Sequence, residues 1–187
     1  MATGSGGHGE GVDYNVTADP KPASTAADDL AAVLRARIWD GAGMEDTGLP
    51  DPMDPDRRVT GYRGEDGDFT PAFDPTVVQG DGNVFTTLAD LARYEAGLWQ
   101  GAYLQDTAAL FSNGTYDDGT PIADEDGLGY GYGWELDGDM ALHTGSWDGT
   151  STLYQRNLDT GVTVILLANG ESASLWQLAD DIAGAVD

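Results

Sequence analysis

The sequence predicts an α+β domain in which an antiparallel β-meander sheet packs against helices, and three features carry that prediction. From Gly129 onward, four apolar runs follow a period of two and are separated by short glycine-containing turns. On either side of them apolar residues recur every three or four positions, the period of a helix with one buried face. The 187 residues amount to about one domain, enough to bury roughly 70% of the surface an unfolded chain exposes.

Residues 1–24 are rich in Gly, Ser, Asp and Pro, lack a hydrophobic period, and are expected to form a flexible or irregular lead-in to a domain over 25–187. Ser24 or Thr25 can cap a helix over 26–39, whose apolar face is Leu30, Val33, Leu34 and Ile38. Asp28 and Asp29 suit its first turn, and Gly41 and Gly43 are expected to end it. Residues 45–83 hold most of the prolines, with many Asp and Gly, and predict a long surface excursion with little regular structure. Thr87 and Asp90 then form a capping box for a second helix, with Leu88, Leu91, Tyr94, Leu98 and Trp99 as its apolar face and an end near Gly101. A short third helix is expected around Thr107 to Phe111, so helices and the long loop occupy 25–128.

The strands occupy 129–169, in the runs Tyr130 to Leu136, Met140 to Thr144, Ser151 to Arg156 and Val162 to Ala168. Asp137-Gly138-Asp139, Trp147-Asp148-Gly149 and Asp159-Thr160-Gly161 supply the turns between them. Leu175, Leu178, Ile182 and Val186 then mark a C-terminal helix over 174–187 that can lie across one face of the sheet.

Charge narrows the functional classes. With 33 acidic residues against 8 basic ones and a net charge of −25, the chain repels phosphate and carries no basic stripe, which excludes nucleic-acid binding and disfavours anionic membranes. An apolar fraction of 40%, with 5 Trp, 8 Tyr and 4 Phe, argues for a packed core rather than an acidic disordered chain. The acids are 26 Asp to 7 Glu and the sole lysine is Lys21, a balance like that of proteins from salt-accumulating halophiles. There is no cysteine for a disulfide, a thiolate metal cage or a nucleophile, and no cofactor is expected. The longest apolar run, Val162 to Ala168, is far short of the roughly 20 residues of a membrane span. Met1 to Gly11 lacks the apolar region of a secretory signal, so the chain is expected to be soluble, either inside the cell or exported on a signal that this sequence does not carry.

Several motifs have ordinary explanations. Gly4-x-Gly6-x-x-Gly9 fits the dinucleotide pattern by letter, but it follows no predicted strand and opens no predicted helix. Asp51-x-x-Asp54-x-Asp56 and Asp124-Glu125-Asp126-Gly127 never reach a glutamate at EF-hand spacing and read as solvated turns, so no metal site is expected. Asn15-Val-Thr17 and Asn113-Gly-Thr115 fit the glycosylation sequon, which matters only outside the cell. His143, Ser146 and Asp148 contain the atom types of a catalytic triad. On a strand running into a turn, however, His143 and Ser146 point to different sides, and a triad needs the imidazole between hydroxyl and carboxylate. His8 stands alone in the lead-in.

Gly43-Met44-Glu45-Asp46-Thr47, Gly61-Tyr62, Thr87-x-x-Asp90-Leu91, Tyr130-Gly131-Tyr132-Gly133-Trp134, His143-Thr144-Gly145, Gly149 and Val164 to Asn169 occur in that order. Over about residues 26–187 this ordered set resembles the C-terminal half of the serine β-lactamase-like family, which includes class C β-lactamases, DD-peptidases and related esterases. The resemblance implies a partial β-lactamase/transpeptidase-like fold and makes His143-Thr144-Gly145 the motif of the strand lining the active site. It implies that His143 and Thr144 contact substrate, that Gly145 lets substrate backbone approach, and that the Ser146 N–H donates to an oxyanion.

The family's nucleophile motif S-x-x-K and its companion Y-x-N are absent: position 18, where the serine would precede Lys21, is Ala18, and Tyr14-Asn15 lacks the spacer. No catalytic residue is therefore assigned. The first expectation is a partial serine hydrolase that is inactive alone. Its substrate would be a small-molecule or peptide acyl donor once completed by an N-terminal half that lies on another chain or was lost by truncation. The alternatives are a non-catalytic module binding a peptide or cell-wall ligand, and an unrelated halophilic α+β domain.

The composition makes one prediction. Self-repulsion among 33 acids is screened by salt, so dialysis into low-salt buffer is expected to abolish native circular dichroism that molar potassium chloride restores. A melting temperature indifferent to salt would contradict the halophilic reading.

Overall fold

The computed structural model describes residues 30–49, 58–65, 67–72, 84–147, 149–171 and 173–186. The expected lead-in, the first residues of the first helix, His8, the Gly4 to Gly9 triplet, the Asp51 to Asp56 turn and Asp148 lie outside the described residues.

Helix α1 covers residues 30–42, with a wider π-turn at Arg35–Trp39. Gly41, expected to stop it, lies within it. The stop is at Gly43, whose left-handed φ of 68° is open to a residue without Cβ. Ala31, Trp39, Met44 and Leu49 form a buried cluster against which Leu34, Ile38 and Tyr94 pack. The described part of the long excursion confines its regular structure to short pairings. It contains a small antiparallel hairpin of β1 (Tyr62–Arg63) and β2 (Thr70–Pro71), and Gly48 is bridged to Phe85 across it.

Helix α2 (Leu88–Trp99) starts at Thr87, whose hydroxyl accepts the Asp90 N–H. The Asp90 carboxylate does not turn back to complete the predicted capping box. Fully buried, it accepts the Asp46 N–H at 2.8 Å and the Thr47 hydroxyl at 2.7 Å, and pairs with Arg93. It thereby ties the Gly43 to Thr47 loop to α2. A one-turn 3₁₀ helix, Thr107–Phe111, follows.

The main sheet is a five-stranded antiparallel meander, β3 (Gly129–Tyr130), β4 (Glu135–Asp137), β5 (Met140–Trp147), β6 (Thr150–Asn157) and β7 (Thr163–Ala168), in that spatial order. The predicted single run Tyr130 to Leu136 is instead the hairpin β3–β4. Its reversal is forced at Gly131 and Gly133: a Cβ at Gly131 would stand 2.3 Å from Leu110 O, and Gly133 has φ 80°. Helix α3 (Trp176–Ala183) covers one sheet face, with Ala179 against Leu153 and Val164. Helix α2 is tied to β6 and β7, the Glu95 carboxylate accepting from the Tyr154 hydroxyl, Arg156, the Thr163 hydroxyl and Trp99 Nε1. No helix among the described residues is long and apolar enough to cross a membrane.

Asp90→Ala strips acceptors from two donors in a buried site, each worth about 1–3 kcal/mol. It is expected to lower unfolding free energy by about 3 kcal/mol, read from denaturant midpoints at constant slope. A loss under about 0.5 kcal/mol would contradict the tie.

Candidate functional site

Two hairpins with two-residue loops fix how β5 spends its backbone bonds. Asp137 pairs with Met140, and Trp147 with Thr150, each as the pair closing a loop. A closing pair of this kind is a hydrogen-bonded pair, and such pairs alternate along an antiparallel ladder. Both hairpins give the same phase: His143 and Gly145 bond towards β6, while Leu142, Thr144 and Ser146 present N–H and C=O towards the β4 side. β4 reaches only Glu135, opposite Leu142. Among the described residues no strand pairs with Thr144 or Ser146 on that side, so both face an open edge.

His143, Thr144 and Ser146 are exposed and Gly145 is half-buried. Strand alternation puts His143 and Gly145 on the face shared with their cross-strand partners Tyr154 and Thr152, and Thr144 and Ser146 on the other. The separation of His143 from Ser146 leaves no triad geometry between them. The imidazole leans over the open edge, with His143 Nδ1 2.7 Å from Thr144 O and Nε2 3.3 Å from the Tyr130 hydroxyl. Gly145 also has an internal reason to be glycine, since a Cβ there would come within 2.4 Å of Thr152 Oγ1.

The turn after the edge is pinned from outside. Gly149 has φ 74°, and its would-be Cβ lies 2.6 Å from Tyr62 N, whose N–H donates to Gly149 O and Asn169 O. Asn169 Nδ2 donates to Thr60 O at 3.1 Å. Gly61-Tyr62, Gly149 and Asn169 thus meet in one knot holding the β5–β6 turn. Among the described residues no group of three or more acidic or histidine side chains is placed to hold a metal, and Asp124 accepts the N–H groups of Asp126 and Leu128 within its own turn.

The family model described as Beta-lactamase matches residues 21–185, and the chain belongs to that family. A penicillin-binding protein of Bacillus subtilis (strain 168) is 31% identical over 109 residues, which are 54% of this chain and 23% of that protein. Among solved structures, the penicillin-binding protein of Bacillus halodurans shares 20% identity with TM-score 0.62, covering 83% of this chain and 48% of that one. The octameric penicillin-binding protein homologue of Pyrococcus abyssi shares 17% with TM-score 0.68, covering 83% and 37%. A D-stereospecific amidohydrolase from Streptomyces sp. shares 19% with TM-score 0.63, covering 84% and 48%. The chain therefore spans less than half the length of these relatives, and with them it shares the mixed helix and antiparallel-sheet fold.

Two side-chain groupings escaped sequence reasoning. Tyr130 beside His143 requires the β3–β4 reversal, which the alternating run concealed. The Glu95 grouping draws on α2, β6 and β7, and only the i,i+4 spacing of Glu95 and Trp99 hinted at it. Within it, burial and then the bond to Glu95 hold the Tyr154 phenol well above its usual range, and burial followed by the Tyr103 and Glu95 charges raises Tyr94.

A phenol whose pKa is higher folded than unfolded contributes its full stability below the unfolded value, about pH 10. It loses that contribution as pH climbs towards the folded value, because the unfolded chain sheds the proton first. Tyr154→Phe is therefore expected to flatten the fall in melting temperature above about pH 10 while leaving the native tyrosinate absorbance titration unchanged. Lost amplitude in that titration near the ordinary phenol range would contradict the buried, Glu95-bound state.

Proposed function

We propose that this chain is the substrate-docking half of a β-lactamase-type serine acyl hydrolase, with the attacking serine outside this sequence. The single observation that supports it most is the half-open β5: an extended acyl donor can add to the edge through the N–H and C=O of Thr144 and Ser146. In that pose His143 and Thr144 flank the ligand. The Ser146 N–H, aimed away from β6, is a donor for a carbonyl oxygen that gains charge during acyl transfer. The absence of S-x-x-K and Y-x-N from the sequence supports inactivity of the chain by itself. The surplus of Asp over Lys supports a salt-rich working environment.

The same edge supports a second reading, a module that binds a peptide or cell-wall ligand without turnover. The two separate on chemistry. Incubated alone with a fluorescent penicillin, the chain is expected to show no covalent adduct by intact-mass spectrometry, and an adduct would contradict the proposal. Titration with a D-alanyl-D-alanine peptide is expected to show saturable binding that Ser146→Pro, which removes the outward N–H, abolishes. An adduct that forms only after adding a segment bearing S-x-x-K favours the hydrolase half over the binding module.

A further inference from the structure

We infer that Tyr130 is a positioning residue for the β5 rim: its hydroxyl holds His143 as the Nδ1–H tautomer, and the rim so formed selects neutral acyl groups over free carboxylates. The first half stands on geometry alone, and the selectivity rests on the docking reading above.

A carbonyl oxygen only accepts, so the nitrogen 2.7 Å from Thr144 O, His143 Nδ1, carries the proton. In the neutral ring Nε2 is then the acceptor, and the Tyr130 hydroxyl 3.3 Å away is its donor. The rings meet edge to face, with centroids 6.4 Å apart and planes at 71°. Although Tyr130 is 40% exposed, its backbone is fixed at both polar groups. Its N–H donates to Asn113 Oδ1 at 2.8 Å, its C=O accepts the Gly114 N–H at 2.9 Å, and Asn113 Nδ2 donates onward to Ile122 O at 2.9 Å. The 113–122 loop thus aims the Tyr130 hydroxyl. An imidazole free in water favours the opposite tautomer, Nε2–H, so the arrangement needs both partners.

The consequence concerns the ligand. A carboxylate needs charged or N–H donors, and in this tautomer one nitrogen of His143 is spent on Thr144 O while the other is an acceptor. Arg156 on the adjacent strand is engaged by Glu95, and the net charge of −25 adds an unfavourable potential for any anion. Either ligand can use the backbone N–H groups of Thr144 and Ser146, but only the carboxylate also needs a countercharge, and neither the acceptor nitrogen of His143 nor the engaged Arg156 supplies one.

The chain has two histidines, so nitrogen-15 imidazole spectra of the full chain, assigned with His143→Gln, read the tautomer directly. In mildly alkaline buffer His143 is expected to show Nδ1–H, and Tyr130→Phe, with an unchanged melting temperature, is expected to move it towards Nε2–H. Calorimetric titration is expected to show N-acetyl-D-alanyl-D-alanine amide binding about fivefold tighter than the corresponding acid, the worth of one ordinary hydrogen bond, with Tyr130→Phe erasing the preference. A parent spectrum dominated by Nε2–H, or a Tyr130→Phe spectrum identical to the parent, would overturn the positioning role. The parent spectrum decides this even if the variant fails to fold. Equal or tighter binding of the acid would overturn the selectivity. If neither peptide binds, the docking reading and the selectivity fall together while the tautomer result stands, so the two failures are distinguishable.

Discussion

The length of β4 decides how much of β5 is paired on both sides. Had the strand continued towards Tyr132, it would have paired with Thr144 and Ser146 and closed the sheet. Instead the chain reverses through Gly131 and Gly133, where Tyr132 N–H is captured by Leu110 O and Gly131 N–H by Trp134 O. The 3₁₀ segment Thr107–Phe111 leaves no space for a Cβ at Gly131, so the reversal is a packing requirement of the helical layer. Among the described residues the result is one strand paired on both sides in its first half and on one side in its second, with His143 at the changeover.

Two acidic side chains turned inward hold that arrangement in place. Asp90 gathers the loop after α1 onto α2, and Glu95, one turn further along α2, gathers β6 and β7. Arg156 lies over the Trp99 ring at 3.3 Å and joins the same carboxylate, so the charge is met by a cation, two hydroxyls and an indole N–H. Of these two carboxylates, Glu95 links elements that the two apolar clusters do not join. The β5 strand is braced through the same groups: its neighbour β6 and the next strand β7 are tied to α2, and its turn is held by Gly61, Tyr62 and Asn169.

Much of this was legible in the residues. Period-two runs and Gly turns gave β5, β6 and β7 to within a few residues, because strands with one buried face must alternate, and Thr87 marked the start of α2. The ordered motifs led to the family through His143-Thr144-Gly145. What stayed hidden was long-range. Alternation in Tyr130 to Leu136 looks the same whether the run is one strand or a hairpin, and what settles it is the close approach of Leu110 O to Gly131, a long-range contact that a Cβ there would block. Gly41 carries the same letter as Gly43, yet the helix ends where the left-handed turn can be followed by the Met44 N–H reaching Trp39 O. The partners that Asp90 and Glu95 draw from the loop after α1, β6 and β7 stand 43 to 68 residues away in sequence, beyond any local pattern.

The openness of the β5 edge is tested most directly by amide hydrogen exchange resolved residue by residue. Alternating protection along the strand is the predicted result, with His143 and Gly145 slow because they bond to β6 and Thr144 and Ser146 fast because they face solvent. Uniform protection from His143 to Ser146 would mean that another segment covers the edge, and would contradict the account.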